Sequence, residues 1–204
     1  PSEYRNHLYT HNLHGHQLNV QMNQREGSGY NTLHAGKDFM YCADARYIAV
    51  DLKYGPDGAV YMNDWYDTQH CHNPNTEQWE RSTGRIYRVQ FEATYEPVFI
   101  NLSRKSDREL AWLQLHQNAW FARTARRLLQ ERSVKDEITT DAVEVLQNMS
   151  KDHANENRRL RAFWTLHVIG ALGERDWMTY LRDESEFVRA NAIELIASLE
   201  QVHP

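Results

Sequence analysis

The chain has 204 residues, of which 41% are hydrophobic and 25% are charged, and its formal net charge is −5. Six Trp, eleven Tyr and six Phe can build a hydrophobic core, which excludes an intrinsically disordered chain. The mild acidity argues against nucleic acid as the main partner, because phosphate binding needs a dense basic surface. No apolar run reaches the roughly 18 to 20 residues that span a bilayer, so no transmembrane segment is predicted.

The first hundred residues carry the signals of short β-strands. We predict strands at 4–9, 17–22, 47–54, 59–65 and 84–91, with a turn at His14-Gly15. In the clearest hairpin, Pro56 presets φ for the turn and Gly58 supplies the positive φ that closes it. Three antiparallel strands joined in this way make most of one propeller blade. Residues 1–97 are therefore predicted to form the C-terminal blade or blades of a β-propeller.

From Ser103 onward the periodicity becomes helical. Ser106 and Glu109 have the spacing of a capping box, in which their side chains satisfy free amides at a helix start. Helices are predicted at about 107–116, 118–132, 139–150, 156–172, 175–182 and 185–200. Paired helices of this kind are typical of a HEAT-type solenoid, and three unrelated helical hairpins are the alternative. The predicted fold class is α+β in two parts, with HEAT-like repeats at 98–204.

Two segments carry a resemblance to a known family. The run from Val50 to Val89 contains the Gly-Pro-Asp-Gly hairpin, Asp64-Trp65-Tyr66-Asp67 and a further alternating strand. It resembles the last blade of the bacterial membrane-bound dehydrogenase family, and the stretch from Leu113 to Arg132 resembles the repeat that follows this propeller. That family is similar to the soluble glucose and sorbosone dehydrogenases, which bind pyrroloquinoline quinone in a six-bladed propeller. Its members commonly continue into HEAT repeats and a haem c domain.

The resemblance implies that the chain is a central fragment of an exported, periplasmic dehydrogenase. The parent would oxidise a sugar or alcohol with pyrroloquinoline quinone and pass electrons to haem c. We predict no cofactor within this fragment and carry over no catalytic residue, because most blades and the haem motif lie outside this sequence. We expect the fragment to be inactive alone.

Two other functions stay open at this point. A non-enzymatic scaffold that binds protein or glycan is the alternative, because fold does not settle function. A glycan hydrolase or lyase ranks last, because we find no matched pair of carboxylates. The unpaired strand edges of a propeller fragment predict association with the rest of the propeller or another chain, and the helical repeats are a candidate surface for a protein partner.

The loop after the Asp-Trp-Tyr run contains imidazole, thiol and carboxylate groups of the kind that zinc and other transition metals take. We hypothesise a metal site that uses His70 and His72, and His14 and His16 form a second close pair. The alternative is that these are polar loop residues, hydrogen bonded or solvated.

Cys42 precedes the first strand of the clearest hairpin and Cys71 follows the second, so both are expected at the same end of the blade. A disulfide between them would fasten the long loop and would suit an exported protein. Two free thiols are the alternative. Asp64, Trp65 and Tyr66 end the second strand, where we expect Trp65 to pack in the blade and Asp64 to hold the turn, rather than to contact a substrate.

Overall fold

The computed structural model describes residues 2–27, 29–71, 73, 75–76, 79–80, 82–135 and 138–199. The chain divides between Val98 and Phe99 into two compact units. The first unit contains antiparallel sheets and the second contains six α-helices within the described residues, so the two-part α+β layout is confirmed. In the part of the chain that the structure describes, no helix combines the length and the apolar character needed to cross a membrane.

The first sheet is built around one long strand. Its strands are β1 (Leu8–Asn12), β2 (Gln17–Glu26), β3 (Gly29–His34) and β4 (Met40–Tyr41). Strand β2 pairs antiparallel with each of the other three, and its Leu18 and Val20 are buried on one face. The strand expected at 4–9 begins only at Leu8, because the chain turns at Asn6, whose φ is 63°.

The second sheet contains β5 (Ala49–Tyr54), β6 (Val60–Asp64) and β7 (Arg85–Val89), in the order β5-β6-β7. The Gly-Pro-Asp-Gly turn forms as predicted. The Gly55 amide donates to the carbonyl of Ala59 at 3.0 Å, and Gly58 has a φ of 76°. Strands β1 and β5 lie beside each other, and the core of the unit is apolar: Leu18, Val20, Tyr47, Ile48, Ala49, Ala59 and Met62.

The second unit starts with a 3₁₀ turn at Leu102–Arg104. Its helices are α1 (Asp107–Trp112), α2 (Ala119–Ser133), α3 (Thr140–Asp152), α4 (Glu156–Val168), α5 (Glu174–Tyr180) and α6 (Glu186–Ser198), with a further 3₁₀ turn at Leu113–Leu115. The predicted capping box is present at α1. Helix α4 ends four residues earlier than predicted. Gly170 takes a φ of 71° and the Ala171 amide donates back to Leu166, which closes the last turn.

The helices pack in pairs that stack on one another. Within pairs, α1 contacts α2, α3 contacts α4 and α5 contacts α6. Between pairs, α1 packs on α3, α2 on α4 and α4 on α6. One apolar cluster holds the first four helices together, and a second one, around Phe163 and Tyr180, joins α4 to α5 and α6. Apolar side chains are therefore buried both within each helix pair and between neighbouring pairs.

Two buried ion pairs fix the helix ends. Asp107 pairs with Arg132 and also accepts the Thr139 amide at 3.0 Å, which ties the starts of α1 and α3 to the end of α2. Arg159 on α4 donates to Asp183 at 3.0 Å, just before α6. Burial of these charges is tolerated because each is paired and hydrogen bonded.

Candidate functional site

Three imidazoles and one thiol meet where the β1–β2 turn approaches the loop that follows β6. The ring centroids of His16 and His70 are 5.1 Å apart, and those of His14 and His70 are 5.8 Å apart. The Cys71 sulfur lies 3.8 Å from Nε2 of His14. We call His14, His16, His70 and Cys71 the histidine cluster. It unites the pair His14 and His16, noted from the sequence, with His70, which was hypothesised to bind metal.

The β1–β2 turn is held in one conformation by several hydrogen bonds. The side chain of Asn12 accepts the Gly15 amide at 2.8 Å, and the His16 carbonyl accepts the Cys42 amide at 2.8 Å. His16 has a φ of 54°, which is unusual for a residue with a side chain. Its Nδ1 lies 2.8 Å from the carbonyl oxygen of Tyr47. A carbonyl can only accept, so this contact requires the proton on Nδ1 and leaves the Nε2 lone pair of neutral His16 available.

Asp64 anchors the start of the opposite loop. It is buried at the end of β6, and its Oδ1 accepts the amides of Ile48 and Tyr66 at 2.8 and 2.9 Å. Tyr66 has a φ of 51°, and the guanidinium of Arg85 lies over its ring at 3.5 Å from the centroid. Asp64 thus holds the turn, as expected from the sequence.

Asp67 fastens the loop a second time. It is fully buried, and its carboxylate accepts the amides of Gln69 at 3.1 Å and Glu80 at 2.9 Å. Burial by itself raises the pKa of Asp67, but hydrogen bonds, with those from the Gln69 and Glu80 amides the largest, more than offset it, so the pKa lies below its ordinary value. The carboxylate is therefore ionised at neutral pH and fixes the backbone that carries His70 and Cys71.

His70 lies at the centre of the cluster. Burial lowers its pKa, and the neighbouring rings of His16 and His14 lower it further, so the imidazole is neutral near pH 7. Its Nε2 is buried and has no hydrogen-bond partner among the residues that the structure describes. A buried polar atom without a partner is costly and uncommon, which makes this nitrogen a candidate ligand atom.

The structure places the other predicted site residues as follows. His72 lies outside the described residues. Cys42 is half-buried and Cys71 is exposed, and both are free thiols in the described chain, so a disulfide between them stays a prediction. As the side chains stand, no group of three or more His, Cys, Asp or Glu residues in the described ranges is arranged to hold a metal ion.

Trp65 differs from its expected packing role. Its side chain is 51% exposed, and its ring lies 6.3 Å from that of Trp79. Sequence reasoning also missed Asp67 as an anchor. The signal that could have found it is an Asp in the loop shortly after a strand, because Asp side chains accept the amide two residues later in an Asx turn.

Comparison with known proteins gives one similarity. Residues 1–93 match the family model described as a domain of unknown function (DUF7133). This match covers both sheets and all four residues of the histidine cluster. No curated protein matches the chain. No solved structure matches it either.

Proposed function

We propose that this chain is a segment of an exported quinone-type dehydrogenase that oxidises a sugar or an alcohol. In this proposal the first unit supplies closing blades of a β-propeller, and the second unit is a HEAT-type solenoid that receives a protein partner. Pyrroloquinoline quinone and haem c are held by other parts of the parent protein. The segment alone has no activity.

The observation that supports the propeller part of this proposal is the open state of both sheets. Neither sheet closes on itself within the described residues, and strands β3 and β7 are exposed along almost their whole length. Both strands present apolar side chains to solvent, among them Tyr30 on β3 and Ile86 on β7. In a propeller, neighbouring blades cover such faces. An exposed apolar surface of this kind is expected for a blade whose neighbours are absent.

The helical packing supports the solenoid in the same proposal. Contacts of α1 with α3, α2 with α4 and α4 with α6 repeat the same neighbour relation along the chain. Such nearest-neighbour stacking is typical of repeats that bury their faces only against the next repeat. Three unrelated hairpins would not be expected to give this regularity.

The test is purification of the protein from its native source, followed by intact mass and visible absorption spectroscopy. We expect a chain much longer than 204 residues, with haem or quinone bands and dye-linked oxidation of sugars or alcohols. A native chain of this length with no chromophore would overturn the proposal.

The second candidate function is a binding scaffold without enzymatic activity. It is favoured by a row of half-buried side chains that crosses the even-numbered helices. Arg126 on α2 lies 5.3 Å from the ring centroid of Trp164 on α4, and the Trp164 indole donates to Asn191 on α6 at 3.0 Å. Aromatic and arginine side chains are enriched at protein interfaces, so this row suits a protein partner. A native protein without chromophore, whose partner binding is lost on Trp164→Ala, would support this function instead.

A further inference from the structure

We propose that the histidine cluster is a transition-metal site of the zinc type, with His14, His16, His70 and Cys71 as its ligands. The site would bind its ion between the β1–β2 turn and the loop after β6, and so would join the two sheets of the first unit. This inference does not depend on the proposed dehydrogenase, because a metal that fastens two sheets serves an enzyme and a scaffold equally.

The first argument for a shared ion is the spacing of the imidazole rings. Zn–N distances of about 2.0 to 2.1 Å in a tetrahedral site place the centroids of two bound imidazoles roughly 5 Å apart. The centroids of His16 and His70 are 5.1 Å apart, and those of His14 and His70 are 5.8 Å apart. The His16–His70 separation matches that of two ligands of one ion, and the His14–His70 separation is longer.

The Cys71 thiol, free rather than bonded to Cys42, fits the same geometry. A Zn–S distance of about 2.3 Å, combined with the Zn–N distance, puts the sulfur and nitrogen ligands of one zinc ion roughly 3.5 Å apart. The Cys71 sulfur lies 3.8 Å from Nε2 of His14. Cys71 is exposed, so an ion can reach it from solvent.

The second argument is that ring nitrogens of His16 and His70 have lone pairs available for a metal ion. The Nδ1 of His16 is engaged by the Tyr47 carbonyl, which is the usual way in which a protein orients a metal-binding imidazole through its other nitrogen. The buried Nε2 of His70 has no hydrogen-bond partner within the described residues, so a metal ion would supply the partner that it lacks.

The donor atoms do not yet converge as a group of three among the described residues, so the ion must draw them together. Ring centroids do not fix where the donor nitrogens point, so rotation of the imidazole side chains is the movement that the ion must induce. The backbone on either side stays in place, because Asp64 and Asp67 tie one loop and Asn12 and Cys42 tie the other. A three-imidazole, one-thiolate set favours Zn²⁺ over Ca²⁺ or Mg²⁺, which prefer oxygen ligands.

The experiment uses the full chain without a polyhistidine tag, stripped with a chelator and titrated with Zn²⁺ against a chromophoric competitor. The same protein is titrated with Co²⁺, whose absorption reports tetrahedral geometry and sulfur ligation. We expect one ion per chain. His70→Ala and Cys71→Ser should each weaken Zn²⁺ binding by at least tenfold, and Cys71→Ser should remove the sulfur-to-cobalt band.

Two matched controls remove the same chemical groups outside the cluster. Cys42→Ser deletes the other thiol, and His34→Gln deletes an exposed imidazole that pairs with Asp38. Both should bind Zn²⁺ like the parent chain. Cys71→Ser changes an exposed side chain, so it tests the site even where His70→Ala fails to fold, as judged by circular dichroism. Absence of Zn²⁺ binding at micromolar concentration would overturn the proposal. So would binding that survives both cluster substitutions, or binding lost in His72→Ala but kept in His14→Ala and His16→Ala.

Discussion

At the scale of single residues, two buried carboxylates determine where His70 and Cys71 lie. Asp64 and Asp67 both accept backbone amides: Asp64 holds the start of the loop after β6, and Asp67 joins Gln69 to Glu80 within it. Carboxylates that accept several amide hydrogen bonds are strong local organisers of irregular backbone. The loop that carries His70 and Cys71 is positioned by these bonds even without an ion.

We predict that Asp67→Ala frees this loop while leaving the sheets folded. The amides of Gln69 and Glu80 lose their acceptor, and the segment between them gains conformational freedom. Limited proteolysis should then cut the chain within 68–79 much faster than in the parent. Asp51→Ala, which removes an exposed carboxylate paired with Lys53, is the control and should leave the cleavage pattern unchanged. Equal cleavage rates for Asp67→Ala and the parent would contradict this role.

A second residue-scale prediction concerns the pH dependence of the helical unit. A hydrogen bond from Lys105, which has the largest single effect, and hydrogen bonds from Ser106 lower the pKa of Glu109 from 4.5 to about 2. Because the folded pKa lies below the unfolded one, the stabilising contribution is complete above pH 4.5 and is lost as the pH falls through about 2. We expect Glu109→Gln, which can still accept hydrogen bonds, to be less stable than the parent at pH 7.

Urea unfolding from pH 7 down to pH 2 checks this prediction. The stability difference between the parent and Glu109→Gln should shrink between pH 4.5 and pH 2. A difference that stays constant across this range would show that the charge of Glu109 does not contribute.

The sequence indicated part of the candidate site. His70 could be selected from its loop, and His14 with His16 from their spacing, because imidazole and thiol groups are recognisable by type. Their meeting depends on the approach of β1 to β5, which is a long-range packing relation that no local pattern encodes. Of the contacts that Asp67 makes with backbone amides, the bond with the Glu80 amide was equally hidden, because Glu80 is thirteen residues further along the chain.

At the scale of secondary-structure elements, the ion pair of Asp107 and Arg132 connects three helices of the second unit. Arg132 also donates to the carbonyls of Ser103 and Lys105, at 3.0 and 2.9 Å, so its guanidinium makes hydrogen bonds beyond the ion pair. Asp107→Ala would leave this guanidinium without its counter-ion and the Thr139 amide without its acceptor. Elements α1, α2 and α3 should therefore lose stability together.

We predict that Asp107→Ala lowers the free energy of unfolding by about 3 kcal/mol, because one partner of a buried pair is left alone. The control is Glu131→Ala, which breaks the exposed Arg127–Glu131 pair on α2, the helix that carries Arg132. That change should cost less than about 0.5 kcal/mol. Urea denaturation of both variants measures the difference. Similar costs for the two variants would count against a special role for the buried pair.

Elements differ in how far the sequence determines them. The six helices were predicted in number and order because caps and apolar spacing are local signals, as at Ser106 and Glu109. Strand β3 was missed because every residue in it is exposed, so it lacks the alternation that marks a half-buried strand. Strand β4 has only two residues, Met40 and Tyr41, and exists through pairing with Gln17 and Leu18 of β2.

At the scale of the whole molecule, the exposed strands predict self-association. Ile86 on β7 is 77% exposed, and among the described residues β7 pairs only with β6. Exposed edge strands with apolar side chains pair readily with other chains, and a lysine at such a position opposes the pairing. We expect the isolated chain to associate with increasing concentration and Ile86→Lys to lower its mean mass.

Light scattering across a concentration series measures this effect. Val134→Lys is the matched control, because Val134 is 82% exposed but does not lie on a strand. It should leave the association unchanged. A monomer at all concentrations, or an equal effect of both lysines, would rule out association through β7.

The bond between Asp67 and the Glu80 amide has a consequence for variation among relatives of this chain. One carboxylate closes the base of the segment between these residues, so the sheet does not depend on how long that segment is. Doubling the length of a flexible loop adds only about 0.6 kcal/mol to its closure. The segment is therefore a natural place for insertions, and foreign peptides grafted between residues 73 and 79 should be displayed without unfolding the sheet of β5, β6 and β7.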